Sequence, residues 1–309
     1  MTSLQILLFA MILDYFIGDP DSIWRRYPHP AVIFGKAVSI LEQRLNRGNF
    51  LIAKGIFSIS ALAILGGIAG YILHVLPDFG IIELILTAVL LAHNSLIKHV
   101  RAVGEALSQD IVSGRRAVAR IVGRDTENLD ESGVARAAVE SAAENFSDAV
   151  VAPIFWFLVL GLPGLFIYKI VNTADSMIGH RTEQYEKFGF GAAKLDDLLN
   201  WIPARLCGAL FCVIYRSRES FDIMVTDAPL HASPNAGWSE AAMAAILDVA
   251  LSGPRTYFGG QVLENAYLNP QGRKEMVTAD ISTALGVLQR AWLALVSFVA
   301  LLVFLVWLL

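Results

Sequence analysis

Glu140, Glu144 and Asp148 stand four residues apart, and at 100° per residue of α-helix they fall within about 80° of one face. All three can then point at one spot. Such a stack of acids makes a poor core and a good site for a cation, or for a metal that carries phosphate. The apolar segment Ala149 to Val171 follows directly. The chemistry therefore belongs at the entrance of a hydrophobic stretch, at a membrane surface.

Four further polar islands lie at or near membrane boundaries. The first is Asp14 with Gly18-Asp19-Pro20 and Tyr27-Pro28-His29-Pro30, where Asp-Pro and His-Pro fix an extended, turn-like backbone. Asp19 reads equally as a capped turn, whereas Asp14 would have to be desolvated inside a span. The second is Lys169, Asn172, Asp175, Ser176, His180 and Arg181. Lys169, Asn172 and Ser176 share a face if the segment is helical. Lysine and arginine here suit phosphate oxygens, and Asn172 and Asp175 offer oxygen ligands to a divalent cation; a snorkelling interfacial lysine beside a helix cap is the plainer reading. The third island, Lys194, Asp196, Asp197, Asn200 and Arg205, repeats the logic, because adjacent aspartates followed by Asn at helical spacing call for a neutralising cation. The fourth is Ser233-Pro234-Asn235-Ala236-Gly237, opening a small-residue helix from Ser239 to Leu251. Free backbone N–H groups at such a helix start bind anions, and the same turn also suits an ordinary capped loop.

The elements that must position these islands are membrane helices. Of the 309 residues, 55% are hydrophobic and 17% charged, and the mean hydropathy is +0.56, which is outside the soluble range. Spans are expected at 3–17, 55–76, 81–97 and 291–309. The last is nineteen uncharged residues, about 28 Å of helix against roughly 30 Å of hydrocarbon. With Asp14 inside it and no small-residue cleavage site after it, the first is expected to be a retained anchor. Arg25, Arg26, Lys36, Arg44, Arg47 and Lys54 crowd the first loop, while Pro77 to Gly80 has no basic residue. By the positive-inside rule 20–54, 98–147 and 216–290 are cytoplasmic and the amino terminus is outside. The segments 149–171 and 201–215 are broken by Gly161-Leu162-Pro163-Gly164 and by Pro203 with Arg205. Both span, or both dip in and return, and the re-entrant reading is favoured because it brings the acidic runs around Glu144 and Asp196 to one compartment. The fold expected is a single all-α, polytopic membrane domain with re-entrant or broken helices and cytoplasmic amphipathic helices such as Lys98 to Val122; the pieces near Pro20 to Pro30 are turns.

Several classes are excluded. A net charge of −4 with no basic block interleaved with aromatics leaves no nucleic-acid partner. Cys207 and Cys212 lack the spacing of a redox or zinc pair and read as packing residues. His74, His93, His99 and His180 show no ligand spacing. No P-loop is present, and Gly189-Phe190-Gly191 lacks the third glycine of a dinucleotide loop.

The islands taken together resemble the CbiB/CobD family, the adenosylcobinamide-phosphate synthases of cobalamin biosynthesis. The residues carrying the resemblance run in the family's order from Asp14 to about Gly260. They are Leu13-Asp14 with Gly18-Asp19-Pro20, His29-Pro30, Glu140 to Asp148 running on to Ala152-Pro153-Ile154-Phe155-Trp156, Tyr168-Lys169, Val171 to Gly179, Phe188-Gly189, Leu195-Asp196-Asp197, Asn200 with Ile202 to Leu206, and Ser233 to Gly237 with Ala241-Ala242-Met243. Ala149 and Ser252 depart from the pattern, each a small residue where a glycine is expected. What the resemblance implies is ATP-dependent amide ligation, in which adenosylcobyric acid is joined to aminopropanol or its O-phosphate. It also implies Mg²⁺, held against the nucleotide phosphates by Glu140, Glu144, Asp148, Asp196 and Asp197. Lys169, Arg181 and Arg205 would neutralise the transferring group, and Asp175 or another acid would take a proton from the amine. Asn145, Asn172, Asn200 and Asn235 would orient amides and hydroxyls, with Asp14, Asp19, Ser233 and Gly237 lining the nucleotide. The implied place is the bacterial inner membrane, within lipid, with the active site on the cytoplasmic side and a homo-oligomer left open. Two rival readings of the residues are an intramembrane prenyl or phosphatidyl transferase gripping a Mg²⁺-diphosphate, and a transporter. The transferase's acidic repeat is not intact, and a transporter would place acids near the middle of uninterrupted spans, whereas only Asp14 and Glu83 lie within spans and Glu83 is near an end.

Overall fold

A computed structural model describes residues 1–180, 182–256, 262–263 and 265–308. The protein is all-α, and its helices run α1 (Ser3–Phe16), α2 (Asp21–Trp24), α3 (Pro30–Leu45), α4 (Leu51–His74), α5 (Ile81–Leu90), α6 (His93–Leu107), α7 (Ile111–Val118), α8 (Glu131–Phe146), α9 (Ala152–Ile178), α10 (Phe190–Leu199), α11 (Trp201–Tyr215), α12 (Arg218–Asp227), α13 (Ala236–Leu247) and α14 (Thr278–Leu308). A π-helical turn, Ser147–Val151, joins α8 to α9. Described strands occur only as two short antiparallel pairs, Leu251–Ser252 with Tyr267–Leu268 and Arg255–Thr256 with Val262–Leu263.

Four helical runs are long and apolar enough to cross a membrane: Leu51–His74, Ile81–Leu107, Glu131–Ile178 and Thr278–Leu308. The pair α10 and α11, bent by 44°, would make a fifth as a broken span or re-entrant loop. Several boundaries differ from the sequence reading. Helix α1 has 14 residues, about 21 Å at 1.5 Å per residue, too short to count with the four. The last helix starts at Thr278, well before Ala291. The amphipathic stretch from Lys98 to Val122 is two helices, because the Asp110 carboxylate accepts the Ser113 N–H and starts α7 afresh. Residues 21–24, expected as a turn, form one helical turn. The anticipated break in α9 is present: Gly161 has φ 64° and ψ −153°, two residues before Pro163.

The chain divides into two compact units, 1–92 with 152–200 and 298–309, and 93–151 with 201–297. In the first, α4 lies against α9 and buries Ser58, Ile59, Ala63, Gly66 and Gly70, while its buried Gly55 meets Phe188. The reason is space. A β-carbon on Gly70 would lie 2.7 Å from the Pro163 Cα, and one on Gly66 would lie 2.2 Å from the Ile170 Cδ1. Small residues let membrane helices approach closely where lipid supplies no hydrophobic drive between them. Ile64, Leu65, Ile68 and Ile72 on the other side of α4 are exposed. Val38, Ile59, Ala63, Val171, Ala174, Ile178, Phe188 and Ala192 close the core beneath α3, α4, α9 and α10.

In the second unit, α8 buries Val134, Ala135, Ala138, Val139, Ala142 and Ala143, and α13 buries Ala241 to Ala244. Helix α11 meets α13 closely, for a β-carbon on Gly208 would come within 2.6 Å of the Trp238 carbonyl oxygen. Phe146 packs on Phe211, and His93 stacks flat on Trp292 with centroids 4.3 Å apart.

Candidate functional site

Each unit gathers its own polar group. In the first, α9 stays helical to Ile178, so Lys169, Asn172 and Ser176 do share a face, and the Ser176 hydroxyl donates to the Asn172 carbonyl at 2.9 Å. Helix α10 brings Asp196 alongside. Its Oδ1 accepts from the Asn172 carboxamide at 3.4 Å and its Oδ2 from that of Asn200 at 2.9 Å, while the Tyr168 hydroxyl donates to the Asn200 Oδ1 at 2.9 Å. Asp196, Asn200 and Tyr168 are buried. The carboxylates of Asp175 and Asp197 face Asp196 as well, and Lys194 pairs with Asp197 at 3.0 Å. Asp196 is buried whereas Asp175 and Asp197 are half-buried; acids gathered in this way repel one another, which a cation or a proton relieves.

The remaining predicted residues of this unit lie elsewhere in it or nearby. Asp14 is buried in α1. Asp19 faces the His29 ring nitrogen at 3.5 Å, with Trp24 stacked edge-on against that ring. Lys169 is half-buried, its carbonyl accepting from the Thr173 hydroxyl. Arg181 lies outside the described residues.

In the second unit the acidic run is not uniform. Glu140 is buried, Glu144 exposed and Asp148 half-buried. Arg124 meets the Glu140 Oε2 at 2.8 Å, and the Ser252 N–H donates to Oε1 at 2.6 Å. Both oxygens of Glu140 are thereby engaged by the fold. The π turn carries Ser147 and Asp148 up against Cys207 of α11; Cys207 and Cys212 are buried and not disulfide-linked, as packing residues should be. The Asn145 carboxamide donates back to the Ser141 carbonyl and hydroxyl. Arg205 lies between the rings of Trp201 and Trp238, 4.3 and 4.4 Å from their centroids.

The turn before α13 suits the capped loop, one of the two readings of its sequence. The N–H groups of Asn235 and Ala236 both donate to the Ser233 hydroxyl, and the helix is Ala236–Leu247 rather than Ser239 to Leu251. Gly237 is needed for space, since a β-carbon there would lie 2.4 Å from the Ala228 carbonyl oxygen. Beneath the turn sits a pair that sequence reasoning missed. His231 Nδ1 accepts the Ser233 N–H at 3.0 Å, and its Nε2 faces Glu240 at 3.6 Å, with both side chains buried. The signal was available: Glu240 is a lone charge among Ala241, Ala242 and Met243.

The donors present suit Mg²⁺ chemically, being hard oxygens of carboxylates and carboxamides. Among the described residues no three His, Cys, Asp or Glu side chains converge tightly enough to hold a metal alone. That is the usual condition for Mg²⁺, which takes one or two carboxylates and fills the remaining positions with water and substrate phosphates.

Fold and site together define an all-α, polytopic membrane protein with a desolvated carboxylate–carboxamide cluster packed among its helices. Residues 7–288 match the family model described as CobD/Cbib protein. The chain is 49% identical over 299 residues to the cobalamin biosynthesis protein CobD of Brucella anthropi, covering 91% of each chain. It is 45% identical over 314 residues to that of Sinorhizobium fredii, covering 96% of each, and 43% identical over 298 residues to that of Rhodobacter capsulatus, covering 93% of each. No solved structure matches it. The chain belongs to the CobD/Cbib family of cobalamin biosynthesis proteins.

Proposed function

We infer that this membrane protein forms an amide in cobalamin biosynthesis, joining the carboxylate of adenosylcobyric acid to the amine of aminopropanol or its O-phosphate at the expense of ATP. A carboxylate does not acylate an amine near neutral pH, so a phosphoryl or adenylyl group must first be attached to its oxygen. The amine nitrogen then attacks the carbonyl carbon, phosphate or AMP leaves, and the ammonium proton passes to a base. The observation that carries this reading is the buried Asp196 carboxylate, held by the Asn172 and Asn200 carboxamides, with the half-buried acids Asp175 and Asp197 beside it.

Asp196 and Asp197 are the carboxylates assigned to Mg²⁺ in the first unit, and Glu144 and Asp148 are the corresponding pair in the second. Bound Mg²⁺ supplies charge neutralisation for the nucleotide phosphates. Asn172 and Asn200 orient the Asp196 oxygens, Tyr168 fixes Asn200, and Lys169 offers a cation to phosphate oxygens. Asp175 is assigned the proton of the attacking amine. Arg205, held between two indole rings, presents a fixed guanidinium to phosphate. Glu140 is assigned a holding role, since its oxygens are occupied by Arg124 and the Ser252 N–H.

Purified protein in nanodiscs, given ATP, Mg²⁺, adenosylcobyric acid and aminopropanol phosphate, should yield the amide by mass spectrometry. The absence of both amide product and nucleotide hydrolysis would overturn the reading, while product attached to lipid would favour a transferase. The active site is assigned to the cytoplasmic face of the bacterial inner membrane. A cysteine at the exposed Gln184 should then resist an impermeant thiol reagent in intact cells, and labelling from outside would refute that side.

A further inference from the structure

Glu83 is used by none of the chemistry above. It lies in the first turn of α5, only 2% exposed, with Thr87 fully buried one turn further along the same face. Ile81, Ile82 and Ile85, on the other side of the helix, are exposed. Oε2 of Glu83 meets Nδ1 of His74 at 2.9 Å, and His74, at the end of α4, is 43% exposed. Oε1 has no hydrogen-bond partner among the described residues, and neither does the Thr87 hydroxyl.

The Oε1 atom is aimed at a particular place. A β-carbon built on Gly161 would lie 3.9 Å from it, and Gly161 is where α9 leaves helical geometry. A break inside an apolar helix frees main-chain carbonyls that no intrahelical N–H reaches, and lipid cannot satisfy them. Buried oxygens without partners are costly in such surroundings, and an uncompensated carboxylate is costlier still. Carboxylate, hydroxyl and unwound main-chain carbonyls are the donors with which discontinuous membrane helices hold desolvated alkali cations. All of these residues belong to one compact unit.

We propose that the niche formed by Glu83, Thr87 and the Gly161 break binds one monovalent alkali cation. The Glu83 carboxylate balances its single charge, His74 holds the second carboxylate oxygen, and the cation ties α5 to the broken middle of α9. A divalent ion does not fit, because one carboxylate would leave net positive charge in apolar surroundings and supply too few of the six or more oxygens such ions require. The role is structural, so its readout is stability and is independent of the amide-forming reaction.

The test is thermal unfolding of the purified full-length protein in nanodiscs, with sodium, potassium or choline chloride at equal ionic strength. Sodium, potassium or both should raise Tm by several degrees over choline, saturating with concentration as binding to the folded state requires. Glu83→Gln should abolish the rise. Thr87→Val, which keeps shape and removes one oxygen, should shift the half-saturating concentration upward at least several-fold, so that the site is still tested if Glu83→Gln fails to fold. Identical Tm values in the three salts would overturn the proposal. A cation-specific rise unchanged in Thr87→Val and Glu83→Gln would overturn it equally, by placing the ion elsewhere.

Discussion

Replacing Glu140 by glutamine tests whether this acid holds the fold or touches the reaction. Its side chain and that of Arg124 are 6% and 12% exposed and 2.8 Å apart, so the pair is desolvated. The substituted glutamine would keep an oxygen for the Ser252 N–H but leave the guanidinium buried without its counter-charge. Breaking one side of a buried pair costs about 3–5 kcal/mol, which at about 1.4 kcal/mol per decade is roughly two to three and a half orders of magnitude in the folded-to-unfolded ratio. The double variant Arg124→Met with Glu140→Gln removes both charges and retains the acceptor for Ser252. It should recover to within about 1–2 kcal/mol of the parent, because uncharged replacements of buried pairs are commonly near neutral. Denaturant unfolding in micelles measures the first quantity, and ATP-dependent amide formation measures the consequence. A Glu140→Gln protein as stable as the parent would refute the buried-pair argument. A double variant that is stable yet inactive would refute the holding role and return Glu140 to the reacting groups.

Three further outcomes follow from the packing and capping already described. Gly70→Ala should destabilise the protein by about 1–3 kcal/mol, because its β-carbon meets Pro163 backbone, whereas Gly66→Ala should cost less because the obstacle is the movable end of Ile170; unfolding midpoints in detergent would show the order, and equal losses would contradict it. Asn200→Ala strands a buried Asp196 oxygen and the Tyr168 hydroxyl, at about 1–3 kcal/mol for each buried group left unpaired, against about 0.5–1.5 kcal/mol for Tyr168→Phe, which removes a single bond; the same unfolding measurement checks it. The Asp110 carboxyl is held below its ordinary 3.8 by the Ser113 hydroxyl and N–H, so its contribution to α7 is complete above about pH 4 and fades as pH falls through the lower folded value. Amide exchange over 111–118, corrected for intrinsic rates, should quicken only at acid pH, and Asp110→Asn should flatten that dependence.

The membrane helices were legible because their signal is local. Uninterrupted apolar runs mark α4 and α14, and the Gly161-Leu162-Pro163-Gly164 sequence marks the break in α9. The face shared by Lys169, Asn172 and Ser176 was legible for the same reason, as a periodicity within one helix. Contacts between distant segments leave no such trace. Nothing in the run from Glu140 to Asp148 says that its first acid is taken by Arg124 and by the backbone of Ser252, 112 residues later, or that a π turn separates Asp148 from the α-helical spacing of the other two. His231 and Glu240 escaped because a histidine and an acid nine residues apart match no ligand spacing, and it is the bend of the chain before α13 that brings them together. The turn at Ser233 suited an anion site and a capped loop equally, and only its hydroxyl's actual position, accepting the Asn235 and Ala236 N–H groups, gives the capping contacts.

The flush seam of α4 against α9 bears on how the protein is made. Leu51–His74 carries one charge, Lys54, near its start, and such a segment can enter the bilayer alone. The second half of α9 cannot do so equally well, since its interrupted middle exposes peptide groups that hydrocarbon leaves thirsty. That middle is covered by Gly70 at Pro163 and by α5, both of which leave the ribosome earlier. Biogenesis thus delivers the docking surface before the helix that depends on it.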